Sequence, residues 1–403
     1  MKRVKLHILF LATLALLFSS CEKEQIPDGK NVFIIYSMGF NSIYDYLKGD
    51  LDELMQGYIP SQSPNDNILL VFYQTRDGRD YPWKPSEPAL YEISRNTKGQ
   101  IRKRKLLTLP STTVAASAEV LEQVLLFVKN EYPDKNYGML MSSHGAGWVP
   151  SAYCQRPSAF ENEYTGTGSS TFGIGDHYDG VTHSSEIDLK ELADAIPMKL
   201  DYLIFDACFM GGIEVAYELR GKVGKVISSQ TEIAGEGMDY LNMCSYLLKG
   251  SSPDLQGFTE SFYRLYENDA TYGCTISMID VGKTSYLAGV CKYINGIYGE
   301  QIAAIPARKP QIYFRSSTYE YFYDLLSIYR NANVGENELA LLQEALDDCI
   351  DCKYATSSFM YSFNGFRIKE YSGLSMYLPM SDRAYLNDYY KGLKWNKATG
   401  LVK

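Results

Sequence analysis

Two short apolar runs end in residues that can do chemistry. Gly138 to Met141 leads into Ser142-Ser143-His144-Gly145, and Leu200 to Phe205 leads into Asp206-Ala207-Cys208. In open α/β sheets, ligands bind beyond the carboxyl ends of the strands. Adjacent strands lie ~4.8 Å apart, so side chains from two such ends can reach one another. A free thiol titrates near pH ~8.5 and is mostly protonated at neutrality, where a nearby imidazole can take its proton or stabilise the thiolate. That pairing is the minimum apparatus of a cysteine hydrolase. Gly145 lets a substrate carbonyl approach a backbone N–H, so the amides of Gly145 and Cys208 are candidate oxyanion donors. Asp206 lies two residues before Cys208, and strand alternation would point both side chains to one face. A carboxylate ending an apolar strand needs a partner, and the cation of a substrate arginine or lysine supplies one. Taken alone, the same residues also read as a structural thiol and an ordinary strand-end His-Gly.

Short apolar runs alternating with helical patterns must position these residues, and they predict an α/β fold with a largely parallel sheet. Strands are expected at Val32 to Tyr36, Ile68 to Tyr73, Gly138 to Met141, Leu200 to Phe205, Lys225 to Ser229, Thr275 to Val281 and Gly373 to Leu378. A hairpin is expected from Leu90 to Ile93 and Ile101 to Leu107. Helices are expected near 43–58, 114–130, 185–195, 212–220, 253–267, 283–298, 319–330 and 337–350. Residues 146–184 carry Gly, Ser and Tyr without periodicity, and loops of that length in compact domains are usually functional or disordered.

The first 20 residues, MKRVKLHILFLATLALLFSS, have a basic start and an apolar run from Ile8 to Phe18, a signal-peptide pattern too short for a comfortable membrane span. LFSS followed by Cys21 resembles a bacterial lipobox, in which the cysteine is lipidated. Glu22-Lys23-Glu24 is similar to the surface-export signal of Bacteroidetes lipoproteins. An ordinary signal peptide cut near Ser20 is the plainer reading. The expected organisation is a signal peptide at 1–20, a tether at 21–30, a core at 31–300 and an extension at 301–403 packing back on it. This places the chain at the outer membrane or cell surface of a Gram-negative bacterium. Loss of residues 1–20 removes three basic residues and no acidic ones, moving the formal charge from −9 to −12, which argues against nucleic acid as the main partner. Of four histidines, His7 leaves with the leader, so histidine chemistry rests on His144, His177 and His183. Eight cysteines in 403 residues are too few for a disulfide scaffold, whereas 34 tyrosines against 17 phenylalanines suggest a large, partly polar aromatic surface.

FDACFMGGIEVAYEL (Phe205 to Leu219) and MLMSSHGAGW (Met139 to Trp148) resemble the cysteine and histidine motifs of the clostripain family of cysteine peptidases. SSQTEIAGEGMDY (Ser228 to Tyr240) and GLSMYLP (Gly373 to Pro379) are similar to later segments of that family. The resemblance implies a caspase-like fold, Cys208 as nucleophile, His144 as general base and acid, and Asp206 at the floor of a pocket for P1 arginine or lysine. It implies cleavage after that residue through a thioester acyl-enzyme, with Glu236 or Asp239 as a second acid. The chemistry needs no cofactor, while calcium is allowed because some relatives require it. Protein or peptide substrates are the implied partners of a monomer. Several relatives cleave themselves after a basic residue between the histidine and the cysteine. Here residues 146–184 hold a single basic residue, Arg156, followed by Pro157, so self-cleavage there is expected to be absent or inefficient.

Asp176, His177, Asp179 and His183 cluster in the long loop and invite a metal reading, but their spacing matches no closed zinc pattern. Cys349-x-x-Cys352 lacks a second cysteine pair and reads as buried thiols, with a local disulfide as the variant. The non-enzyme alternative is a surface lipoprotein that uses the same scaffold to bind peptide or glycan.

Overall fold

The computed structural model describes residues 31–403 apart from 64–65, 79, 151–160, 162–172, 182, 184 and 316–319. The leader, Cys21 and Arg156 lie outside the described residues. The strands of the main sheet are β1 (Asn31–Met38), β2 (Ile68–Gln74), β3 (Ala89–Arg95), β4 (Ile101–Thr108), β5 (Asn136–Ser142), β6 (Leu200–Asp206), β7 (Val223–Ser228), β8 (Thr275–Asp280) and β9 (Ile350–Ala355). Their spatial order is β9-β8-β7-β6-β5-β1-β2-β3-β4. The five strands from β7 to β2 are parallel, and each flank closes with antiparallel strands. The expected mostly parallel α/β architecture is therefore present.

Both faces of the sheet are covered, which is why its central strands are near-continuous apolar runs. Along β1, Val32, Ile34, Tyr36 and Met38 enter one core, whereas Phe33 and Ile35 enter the other. Helices α1 (Tyr44–Leu54), α2 (Ala118–Glu131), α3 (Leu189–Asp194), α4 (Ile213–Glu218), α5 (Tyr240–Leu247), α6 (Leu255–Tyr266) and α7 (Thr284–Ala303) cover these faces, followed by α8 (Leu325–Asn331), α9 (Glu336–Cys349), α10 (Ala384–Lys391) and α11 (Lys394–Thr399). Ser117 caps α2 by accepting the Val120 N–H, and Asp239 caps α5 by accepting that of Asn242. No helix among the described residues is long and apolar enough to cross a membrane.

Two sequence expectations change. The run Gly373 to Leu378 is apolar because it is buried, not because it joins the main sheet: only Ser375–Met376 is strand, paired with Tyr323–Asp324 in a separate two-stranded ladder. The missing sheet member is β9, which directly follows α9 and is half-exposed at the sheet edge, so its sequence, IDCKYA, carries no apolar run. Cys349 and Cys352 sit on either side of that junction as free thiols, with no disulfide between them.

Much of the tyrosine excess belongs to the core, and few of the described tyrosines are fully exposed. Tyr36, Tyr240, Tyr313, Tyr329 and Tyr390 are all fully buried. A buried phenol gives a large apolar ring and one donor, and many of these donors meet carboxylates. Tyr313 donates to Asp324 at 2.9 Å and Tyr390 to Glu214 at 2.6 Å. Burial pushes Glu214 up to about 7. Tyr390→Phe is expected to destabilise the fold by about 1–3 kcal/mol, read as a lower urea midpoint at unchanged slope. The folded pKa of Glu214 stands above its unfolded value, so its favourable contribution is full below about pH 4.5 and fades as pH rises through about 7. Loss of the Tyr390 donor raises the folded value further, so the penalty should grow from about pH 5 to about pH 8.

Candidate active site

The chain builds β2 to one side of β1 and then crosses to place β5 on the other, so a topological switch point lies between β1 and β5. Ser37 of β1 pairs with Ser142 of β5, and Ser142 pairs with Asp206 of β6, so the three carboxyl ends finish level. The loops leaving them carry Ser42, His144 and Cys208. The expected neighbouring of the histidine and cysteine strands holds.

The two loops touch through backbone. A Cβ at Gly145 would stand 2.6 Å from the Cys208 carbonyl oxygen and 3.2 Å from its nitrogen, so only glycine fits this approach. Asp206 is the last residue of β6, and the strand pleat does not carry through to Cys208. The next turn is set by Phe209, which adopts φ 63°, a left-handed conformation costly for an aromatic residue. Its N–H donates to the Thr231 carbonyl at 3.0 Å and its ring stacks on Phe322 at 4.6 Å, which holds the turn.

His144 is anchored from the β1 side. Buried Asn41 donates to the Met38 carbonyl at 2.8 Å and to Ser143 Oγ at 3.0 Å, tying the loop after β1 to the histidine strand. The adjacent Ser42 Oγ lies 2.9 Å from His144 Nε2, a contact that no motif or spacing in the chain marks. Burial lowers the His144 pKa below the usual imidazole value, Asp176 opposes this and His183 adds to it. The imidazole is therefore neutral, and able to accept a proton, at neutral pH.

Cys208 Sγ accepts the Ile233 N–H at 3.4 Å. Part of the residue reaches solvent, yet burial pushes the thiol up to about 12, with the Ile233 hydrogen bond opposing. Glu232 raises it as well, and Arg315 lowers it. Arg315 Nη2 donates to Glu232 Oε1 at 2.7 Å as one arm of a two-pronged pair. Burial thus favours the uncharged form of both the thiol and the imidazole.

Asp206 is 6% exposed, and its Oδ2 accepts Ser142 Oγ–H at 3.1 Å and Tyr240 O–H at 2.7 Å. Burial raises its pKa, against both hydrogen bonds. A second carboxylate, Asp50 of α1, is also 6% exposed, and its Oδ2 has no hydrogen-bond partner. It is not among the acids expected at the site from sequence. Glu236 is exposed and close enough to Asp50 to raise its pKa. Asp239 is buried, with its carboxylate accepting from Asn242 at the start of α5.

The loop cluster does not converge as a metal centre. His183 Nδ1 lies 2.8 Å from Asp176 Oδ1 and its ring stacks on Tyr178, the His177 ring packs on Phe40, and Asp179 accepts the Val181 N–H. Among the described residues no group of three or more His, Cys, Asp or Glu side chains is arranged to hold a metal ion.

Clostripain from Hathewaya histolytica is 25% identical over 231 residues, which is 52% of this chain and 41% of that protein, so the chain spans less than half of that relative's length. A C11 protease from Parabacteroides distasonis, solved as an inactive zymogen, superposes with a TM-score of 0.76 at 25% identity, covering 92% of this chain and 98% of that one. A secreted C11 cysteine protease from Bacteroides thetaiotaomicron, solved with an irreversible peptide inhibitor, gives a TM-score of 0.72 at 21% identity over 92% and 99% of the two chains. These likenesses show the caspase-like fold. The family profile matches residues 35–400, nearly all of the described chain, and on that match the chain belongs to the clostripain family.

Proposed function

We propose that the chain is a cysteine endopeptidase that cleaves after arginine or lysine. The observation that carries this reading is that the strands leading to His144 and Cys208 are paired neighbours beside one switch point, their loops meet at Gly145 and Cys208, and the second strand ends in the buried carboxylate of Asp206. A basic P1 side chain enters toward Asp206, which sets the scissile carbonyl against Cys208. Nε2 of His144 is engaged by Ser42; in the tautomer that carries its proton on Nε2, Nδ1 is left to take the thiol proton as sulfur attacks the carbonyl carbon. The amides of Gly145 and Cys208 receive the developing oxyanion. The protonated imidazole then gives its proton to the leaving amine, forming the thioester, and activates the water that hydrolyses it. No step requires a metal.

Ser42 acts by holding the ring. Ser42→Ala is expected to lower kcat about tenfold at nearly unchanged KM, and Ser42→Thr to restore it, in steady-state assays with a P1-Arg peptide. An unchanged kcat in the alanine variant would remove Ser42 from the mechanism.

We place the protein, on the Lys2 to Cys21 pattern, as an exported lipoprotein anchored through Cys21 at the outer membrane or cell surface. The active protein is expected to remain a single chain. Two fragments split between His144 and Cys208 in wild type, absent in Cys208→Ala, would contradict this.

A further inference from the structure

We propose that Asp50 is a second carboxylate of the pocket for the basic P1 side chain, facing Asp206 across Gly237, and that the pair holds at rest a proton which the entering cation displaces. This rests on the reading of Asp206 as the floor of that pocket.

Asp206 Oδ1 and Oδ2 and Asp50 Oδ1 all lie within 3.5 Å of the point where a Cβ of Gly237 would stand. Gly237 has φ +65°, and a side chain there would press against the carboxylate oxygens of both acids, so glycine keeps the two within reach of one point. The Gly237 carbonyl accepts Tyr266 O–H at 2.8 Å, which fixes this backbone in place. Asp206 is already met by Ser142 and Tyr240, but Asp50 Oδ2 is buried with no partner. An orphan buried carboxylate is expensive unless it is neutral or meets a cation. Arg and Lys side chains present several N–H donors to such a pair.

The groups facing Asp50 are all acids or phenols. Glu53 lies on its own helix, Asp206 at the end of β6, Glu236 in the loop before α5, Tyr240 on α5 and Tyr266 on α6. With no cation facing it among the described residues, Asp50 stays protonated, and burial beside Asp206 holds it up to about 9. Entry of the P1 cation favours the carboxylate, so the Asp50 O–H proton passes to solvent while the cation takes its place. Binding of a basic P1 residue therefore strengthens as pH rises, up to about tenfold per unit below the Asp50 value.

The test compares wild type, Asp50→Asn and Asp206→Asn on P1-Arg, P1-Lys and P1-norleucine peptides between about pH 6 and about pH 9. Wild type is expected to show KM for the basic peptides falling with pH, with little change in kcat. Asp50→Asn should lose that slope and raise KM for basic P1 at least about tenfold at the upper pH, leaving the norleucine peptide unaffected. Its resting fold should be no less stable than wild type, because an unpaired buried acid is removed. As a check that needs no variant, benzamidine binding to wild type in buffers of different ionisation enthalpy should release about one proton near pH 7.

A wild-type KM and pH slope in Asp50→Asn, or no proton release with benzamidine, overturns the role of Asp50 while leaving Asp206 in place. If wild type shows no basic P1 preference, or Asp206→Asn keeps it, the pocket reading itself fails and Asp50 falls with it.

Discussion

Cys208→Ala and His144→Ala are each expected to lower kcat/KM for a P1-Arg peptide by at least about 10³-fold, and the double variant to be little worse than either. In the proposed mechanism the two side chains act as one unit, because burial holds the Cys208 thiol up to about 12 and leaves almost no thiolate near pH 7. Without the imidazole there is nothing to take the proton, and without the sulfur there is nothing to attack. His144 stands below the ordinary histidine value, so the base is lost only as pH falls through that lowered value. The acid limb of the kcat/KM profile should accordingly lie below about pH 6.5. Steady-state kinetics across pH checks both statements. An acid limb well above this range would mean that another group supplies the base.

Asp206→Asn is expected to cost about 10²–10³-fold in kcat/KM on P1-Arg and P1-Lys while sparing P1-norleucine. The carboxylate is buried; in the proposed pocket it pairs with the substrate cation, and breaking a buried ion pair by removing one partner costs about 3–5 kcal/mol. Asparagine keeps the shape and can still accept from Tyr240, so the fold should survive and the loss should fall on specificity. Parallel profiling of the variant on peptides that differ only at P1 checks this. An equal loss on every P1 residue would make Asp206 a general structural group instead.

The central strands were readable because burial on both faces makes them apolar runs, and two of those runs end in the reactive residues. His144 and Cys208 were therefore placed on neighbouring strands from sequence alone, and the paired register of β5 and β6 agrees. What the sequence hid has specific causes. β9 is an edge strand without an apolar run, and Gly373 to Leu378 is apolar through burial without sheet pairing. Phe209 occupies a left-handed turn where glycine would have been the signal. Ser42 is one serine in a loop, with nothing in its neighbours to mark it. Asp50 did leave a trace: Leu47, Asp50 and Leu54 share the buried stripe of α1 at spacings of three and four, so an acid stands where the helical period asks for an apolar residue. It was masked by Asp45, Asp52 and Glu53 on the same short helix.

The central claim is that Cys208, served by His144, attacks a carbonyl placed by a basic P1 residue. Its most direct test is treatment with an arginyl acyloxymethyl ketone, followed by peptide mapping of every cysteine. The label is expected on Cys208 alone, competed by a P1-Arg peptide and absent from His144→Ala. No label on Cys208, with iodoacetamide reacting there no faster than at the other thiols, would contradict it and leave a scaffold that binds without cutting.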